Sequence, residues 1–345
     1  YLDNLDTGSN DVHLLYWNRD LQEENTSVLS DVTCHEFRCY QEDDVSKTSK
    51  LRSFAKFRHF AMRTIKERKF DFIIFLHSLT GVLIADEMKR HYANRYIFDY
   101  RDSTYEGFLP FKQIVGTLVK HSYATFVSSD AFRRFLPEAE SAKIYTSHNL
   151  LMDSLNHRDD KDKYGISSPK IRIAFWGFIR HEEINREIIQ KIAADQRFEL
   201  HYYGREQQVA KNLKAYSQEI GASNIYFHGE YKPEGRYKFI LQTDIIHNIY
   251  YDSNTMLAMG NKYYDGIIFR IPQICMVDSF MGKTAVEHGV GIECNPYKDD
   301  FLEMIYEYYS SLDLTAFYQF CDKEFDRIYS EYVSDCSLIA QMGGI

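Results

Sequence analysis

The segment "AMGNKYYDGIIFRIPQICM", Ala258 to Met276, reads as a buried helix that feeds an apolar strand through Ile271-Pro272. Its first residues are polar: Asn261, Lys262 and, three further on, Asp265. A helix start exposes unpaired N–H groups and a partial positive charge, which suits an anion such as phosphate. Lys262 adds a full charge there. Asp265 lies about one turn on and nearly on the same face, where it can accept hydrogen bonds from sugar hydroxyls. An ordinary helix end satisfied by a Lys and an Asp explains this segment alone equally well, so the surrounding sequence has to discriminate.

Outward from that helix–strand unit, short apolar strands alternate with amphipathic helices along the chain. The first half runs "DVHLLYWN" strand, "SKLRSFAKFRHFAMRTIKERK" helix, "FDFIIFLHS" strand, "GVLIADEMKRHYA" helix and "RYIFDYR" strand, then "FKQIVGTLVKHS" helix, "ATFVSS" strand, "DAFRRFL" helix and "KIYTSH" strand. Near-continuous apolar strands between helices mark an α/β fold with a parallel sheet covered on both faces. The opening strand and phosphate-type turn of such a domain are expected before residue 1. "NHRDDKDKYGISSPK" at 156–170 has a linker's composition. A second series follows: "IRIAFWGF" strand, "EINREIIQKIAAD" helix, "FELHYYG" strand, "QQVAKNLKAYSQEIG" helix, "NIYFHGE" and "DIIHNIY" strands, the opening segment, and "GIECN". Two helices near 298–311 and 313–333 finish the chain. The reading is two doubly wound Rossmann-like domains, 1–155 and 170–312, joined by a linker at 156–169 and followed by a closing helix in 313–345. Two such domains bind ligands in a cleft at the carboxyl ends of their strands.

A chain of 345 residues fits two domains. Hydrophobic content of 44% with 26% charged residues is that of a globular protein, and 27 Tyr and 24 Phe promise ring-rich cores. A net charge of −9 argues against general nucleic-acid binding. The six cysteines are scattered and form no CxxC, so reduced structural thiols in a cytoplasmic protein are expected and a zinc site is not. No apolar run approaches the roughly 18 residues needed to span a membrane. Neither GxGxxG nor the P-loop pattern occurs, which leaves NAD, FAD and P-loop chemistry without support.

Polar residues collect where the second-half strands end. "FWGFIRHEEIN" sets Gly177 after a strand, with Arg180 and His181 before a helix; glycine allows close backbone approach, and Arg180 can fork onto a diphosphate. "HYYGREQQ" repeats the arrangement with Gly204 and Arg205, and "FHGEYKPEG" adds a third turn whose Tyr231 can stack on a nucleobase. With "YDSNTMLAMGNKYYD" these are four turns at successive strand ends, the pattern of a nucleotide-diphosphate face.

These same residues carry a resemblance. "FWGFIRHEEIN", "IYFHGEY…DIIHNIY", "NKYYDGIIFRIP" and "GVGIECNP" together resemble the donor domain of GT-B-fold glycosyltransferases, particularly the family-4-like enzymes of bacterial capsular and surface-polysaccharide synthesis. In that family a helix of the form K-x-x-E, then a small residue and Pro, holds the donor nucleotide, its acid on the ribose. Asp265 falls at the acid's place and Lys262 at the basic one, implying ribose and diphosphate contacts. "YIFDYRDSTYE", residues 96–106, resembles the strand-end Asp-x-Arg-Asp of the acceptor domain, and the closing helix is expected to cross back toward that domain. Two positions depart from the pattern: Leu257 stands where many members carry a second glutamate near the donor sugar, and Arg270 replaces the glycine before Ile-Pro.

The resemblance implies transfer of a sugar from a UDP- or GDP-linked donor to a glycan acceptor, polyprenyl-linked, by a retaining enzyme without a metal. Leaving-group charge falls to Lys262, Arg180 and the backbone around Gly177 and Gly260. If the reaction inverts configuration, Asp102 and His148 at first-half strand ends are the candidate bases. Plainer roles exist for both: Asp102 as a helix cap or ion pair with Arg101, His148 as a hydrogen-bonded core imidazole. "EDD" at 42–44 reads as a solvated loop rather than a metal pair. A nucleotide-sugar 2-epimerase of related architecture and a degenerate, non-catalytic scaffold are the rival readings. From Lys50 to Lys69 eight Lys/Arg face one acid, Glu67, while Phe54, Phe57, Ala61 and Ile65 recur at helical spacing. Such a helix either packs its Phe stripe on the sheet or lies against the inner face of an anionic plasma membrane.

Overall fold

The computed structural model describes residues 1, 5, 7–23, 29–41, 47–160 and 169–342. The acidic 42–44 stretch and residues 161–168 of the expected linker lie outside them. The chain forms two compact units, one of residues 1–147 with 330–345, the other of residues 148–329.

In the first unit β1 (Val12–Asn18) pairs in parallel with β2 (Val32–Arg38) as a two-stranded sheet. β3 (Ile73–Leu76), β4 (Tyr96–Tyr100), β5 (Ala124–Val127) and β6 (Ile144–Thr146) form a second parallel sheet in that order. β2 does not stand out in the sequence because Thr33, His35, Glu36 and Arg38 interrupt "VTCHEFR" and leave no continuous apolar run. α1 (Lys47–Arg68) packs its aromatic stripe on the small sheet. Trp17 stacks on Phe57 with ring centroids 5.7 Å apart and meets Phe54 edge-on, and Phe37 lies 5.5 Å from Phe60. The Phe stripe is therefore core, and the basic residues Arg52, Lys56, His59, Arg63 and Lys66 face outward. The helix expected over "GVLIADEMKRHYA" is two, α2 (Ser78–Leu83) and α3 (Ala85–His91), broken at Ile84 with φ −125°. α4 (Leu109–His121) covers the sheet with buried Phe111, Val115, Leu118 and Val119. "DAFRRFL" is a 3₁₀ turn rather than an α-helix, its start capped by Ser129 accepting from the Ala131 N–H.

The second unit is a six-stranded parallel sheet. In chain order its strands are β7 (Ile171–Trp176), β8 (Phe198–Tyr203), β9 (Ile225–Phe227), β10 (Ile245–Asn248), β11 (Gln273–Met276) and β12 (Gly291–Cys294). In space they run β9-β8-β7-β10-β11-β12. Within the sheet that is 3-2-1-4-5-6, the doubly wound order, with its reversal between β7 and β10. Alternation along β7 shows the two covered faces. Ile173 and Phe175 join the core beneath α5 (Glu182–Ala193), α6 (Gln208–Glu219) and α10 (Phe301–Ser310). Ala174 and Trp176 point the other way, toward α7 (Arg236–Ile240). On that second face α8 (Asn261–Ile268) and α9 (Phe280–Glu287) pack with α11 (Leu314–Met342) through Tyr263, Met281, Phe317 and Cys321. The α/β class and parallel, doubly wound sheet read from the sequence are what the chain adopts.

Candidate functional site

The reversal between β7 and β10 leaves a crevice outside their carboxyl ends, so the turns after Trp176 and Asn248 are where this topology can receive a ligand. Gly177 leaves β7 with φ +108°, a conformation that excludes ordinary side chains. A Cβ on Gly204 would sit 2.1 Å from the Gly177 carbonyl oxygen, so the β8 turn can approach only as glycine. The main chain ties the turns together: the Gly177 N–H donates to the Tyr203 carbonyl at 2.9 Å, and the Gly204 N–H to that of Gly229 at 2.8 Å. Three of the four turns read from the sequence thus form one continuous backbone rim.

The fourth turn ends at the head of α8. Gly260 precedes the helix in extended conformation and gives its first turn no side-chain cap. Asn261 stays exposed there and accepts from the Asn149 amide at 3.1 Å, while His148 Nδ1 lies 3.1 Å from the Tyr264 hydroxyl. The segment after β6 therefore lies along this helix. Lys262 turns inward and is 5% exposed. Its Nζ donates to the Trp176 carbonyl at 3.2 Å and to the Tyr250 hydroxyl, and lies 4.1 Å from the centroid of the Phe175 ring. A lysine from α8 thereby reaches the last residue of β7, at the reversal itself.

Asp265 is 2% exposed and carries two partners: Trp176 Nε1 donates to Oδ2 at 3.0 Å, and Arg236 Nη2 to Oδ1 at 2.8 Å. Burial raises its pKa, while Arg236, Trp176 and Lys262 pull it down. Arg236 also donates to Ser154 Oγ at 2.6 Å, so one guanidinium joins α7, α8 and the segment after β6. A ribose hydroxyl at Asp265 would take the place of one of these partners. Tyr231 is half-buried against Phe239, with ring centroids 5.0 Å apart, in the cluster around Trp176. Burial pushes its phenol up.

Arg180 is exposed, its guanidinium 4.8 Å from the Phe178 ring centroid. His181 follows in the left-handed region at φ 60°, and its Nε2 is 3.4 Å from Asp252 Oδ2. Burial lowers the His181 pKa against the pull of Asp252. Asp252 in turn accepts the N–H groups of Asn254 and Thr255 at 2.9 and 2.8 Å; burial opposes its charge, but these bonds keep its pKa below the usual value. Beneath them His247 is fully enclosed, its pKa lowered to about 3 by burial and by Lys262.

Asp102 belongs to the first unit, at the end of β4; Arg101 beside it donates to Asp99 at 2.9 Å. Sequence reasoning missed Trp176, Tyr250, Arg236 and the His181–Asp252 pair. Trp176 and Tyr250 had a signal, each lying within two residues of a strand end. Arg236 had none, since only folding brings it to Asp265.

No protein-family profile matches the chain, and no curated protein matches it. Solved structures do. Sucrose-phosphate synthase from Thermosynechococcus elongatus aligns at 11% identity over 96% of this chain and 87% of its own, with a TM-score of 0.69. HepE of Anabaena, solved with UDP and glucose, aligns at 13% identity over 95% and 90%, with a TM-score of 0.63. The lipopolysaccharide outer core galactosyltransferase WaaB in its apo form aligns at 13% identity over 91% and 86%, with a TM-score of 0.60. At such identities the likeness shows the fold: the chain has the GT-B architecture of these proteins.

Proposed function

We propose that the protein is a glycosyltransferase that moves a sugar from a nucleotide-diphosphate donor to a glycan acceptor, with the donor held at the carboxyl ends of β7 and β10. The observation that carries this is the burial of Lys262 at the head of an uncapped helix, its Nζ on the last carbonyl of β7. A cation and free N–H groups at one point of a doubly wound sheet suit a diphosphate, which the solvent-excluded surroundings hold more strongly than water does. HepE, solved with UDP and in another structure with UDP-glucose, supports a UDP-linked donor, and GDP is the alternative base.

In this reading Lys262 and the first N–H groups of α8 stabilise the diphosphate as the glycosidic bond breaks, and Arg180 swings from Phe178 onto it. Gly177 and Gly204 let the phosphates come against main chain, Tyr231 lies beneath the base, and Asn261 hydrogen-bonds the leaving group. Asp265 takes the ribose or fixes Trp176 and Arg236 around it. A retaining reaction needs no separate base; an inverting one uses Asp102 or His148. Residues 1–155 supply the acceptor side, residues 170–312 the donor side, and the closing helix returns to the first. The acceptor is lipid-linked and the protein cytoplasmic, peripheral at the inner face of a bacterial plasma membrane in capsular polysaccharide synthesis. With the Phe stripe of α1 packed on Trp17 and Phe37, that contact at residues 50–69 rests on the outward basic face alone.

Two observations keep other readings in play. The His181–Asp252 pair at this mouth gives an acid and an imidazole to a 2-epimerase. Leu257, in place of a sugar-binding acid, fits a non-catalytic scaffold. A panel of UDP-, GDP-, ADP- and CMP-sugars separates the three. Nucleotide release, slow by hydrolysis and faster with glycan acceptor, is expected of the transferase. Sugar isomerisation without release would make it an epimerase, and neither reaction with any donor would leave the scaffold.

A further inference from the structure

The first unit holds a polar cavity of its own. It lies where Phe70 and Arg95 lead into β3 and β4, at the amino ends of those strands, and has a volume of about 340 Å³. Lys66 and Lys69 at the end of α1, with His91 closing α3 and Arg95 beyond it, form its rim, all four exposed. Its floor includes Ile65, Tyr92 and the carboxylate of Glu87. Two of the cations are preset. Lys69 ends α1 in the left-handed region at φ 54°, with its N–H on the Ile65 carbonyl at 2.9 Å. Arg95 lies 5.0 Å from the Tyr92 ring centroid and donates to the His91 carbonyl.

Basic residues at helix ends ordinarily offset the carbonyl dipole there. Here α1 and α3 both end at the cavity, supplying together about one negative unit. Of the lining residues, Lys66, Lys69 and Arg95 bring three positive units against one negative from Glu87, with the Asp71 carboxylate also acting on the Tyr92 phenol. The outward stripe Arg52, Lys56, His59, Arg63 and Lys66 leads to the cavity along α1.

Glu87 is the discriminating feature. It is 9% exposed and lines the cavity, yet among the described residues its carboxylate has no hydrogen bond or ion pair, whereas its neighbour Asp86 pairs with Arg58 at 3.0 Å. A bare phosphate would be repelled by such a floor. A ligand whose phosphate meets Lys66, Lys69 and Arg95 while its hydroxyls donate to Glu87 satisfies both charges. We infer that this cavity binds a hydroxyl-bearing phosphate ester, a sugar phosphate or the polyol phosphate headgroup of a lipid, separately from the donor mouth. Its volume accommodates one phosphorylated monosaccharide.

The test is calorimetry on the whole chain with glucose 1-phosphate, with and without saturating UDP, and co-sedimentation with phosphatidylinositol vesicles against phosphatidylcholine alone. Binding of either probe that persists with UDP present, and weakens about tenfold or more in Lys66→Ala/Arg95→Ala, is the expected result. Binding by soluble ester alone points to a free sugar phosphate; binding by vesicles alone points to a lipid. Glu87→Gln is expected to weaken glucose 1-phosphate while tightening inorganic phosphate. Three results overturn the inference: neither probe binds, UDP abolishes the binding, or the double variant binds as the parent does. Inorganic phosphate matching glucose 1-phosphate in the parent, with Glu87→Gln changing neither, overturns the hydroxyl contact. Rim substitutions lie on exposed side chains, and a melting curve identifies any that unfold the chain. Because the variants map the cavity itself, a failure here leaves the donor site untouched, and a failure of UDP binding leaves this cavity testable.

Discussion

In the second unit the ends of β7, β8 and β9 are joined by main chain, through Gly177, Tyr203, Gly204 and Gly229. In the first unit the ends of β3 and β4 are joined by one main-chain bond and by side-chain hydroxyls. His77 leaves β3 at φ 97° and ψ 143°, with its N–H on the Asp99 carbonyl and its own carbonyl accepting from Thr80 Oγ1. Ser78 and Thr104 hydroxyls meet at 3.2 Å, and Arg101 is held by Asp99. Backbone N–H groups recognise a phosphate whatever it is attached to, whereas side chains discriminate among partners. In the proposed reading the second unit meets the constant part of a donor. In the same reading the first unit meets a variable ligand, and the exit of β3 carries backbone strain at His77.

The largest expected contrast concerns buried acids. Asp265→Ala leaves Arg236 enclosed without its carboxylate, and a loss of about 3–5 kcal/mol is predicted by urea denaturation. Asp99→Ala in the first unit should cost less, because Arg101 reaches solvent with a side chain 37% exposed. If Asp99→Ala proved the costlier, the contrast would fail.

Acid comes next. His247 has a folded pKa near 3 against the usual 6.5, so its neutral form stabilises the second unit above pH 6.5 and that stability is lost as pH falls toward 3. Asp335 in the first unit has the opposite sign. Burial and Glu331 raise it from 3.8 to about 7, so its contribution is full below pH 3.8 and disappears as pH rises through 7. Hydrogen exchange resolved by unit at pH 4 should therefore show the second unit weakened, by about 3 kcal/mol from His247, and the first, where His35 and Asp86 have lowered pKa values, weakened less. Equal weakening would refute it.

Smaller effects come from glycines. Gly204→Ala drives a methyl into the Gly177 carbonyl and should cost about 1–3 kcal/mol. Gly107→Ala in the first unit meets open space and should stay within about 0.5 kcal/mol. Thermal melts of both suffice, and similar values would mean that the β8 turn is not fixed by main chain. Smallest is the strain at His77: His77→Gly should be more stable than His77→Ala by about 1 kcal/mol, since alanine keeps the unfavourable backbone. An alanine variant as stable as the glycine one would remove that strain from the account.

The second unit was legible because its strands are largely buried and read as apolar runs, with glycine at the exits of β7, β8 and β9. β2 was not, since Thr33, His35, Glu36 and Arg38 break any apolar run along it. The break at Ile84 was hidden because Ser78–His91 keeps an apolar stripe through both helices. At the site, Lys262 and Gly177 announced themselves by type and position. The sequence could not say that Lys262 turns inward to β7, nor that Arg236 and Trp176 occupy Asp265. Those are long-range pairings, set by how α7 and α8 pack on one face. Membrane and packing readings of α1 were separable only by its partner rings on β1 and β2.

The central claim is that Lys262, at the carboxyl end of β7, holds a nucleoside diphosphate. Titration of UDP and of GDP into the parent chain and Lys262→Ala tests it directly. The account predicts saturable binding of one nucleotide and a loss of about 1–3 kcal/mol in the variant, with its melting temperature little changed. Identical affinity in the two proteins, or no binding of either nucleotide by the parent, would contradict it.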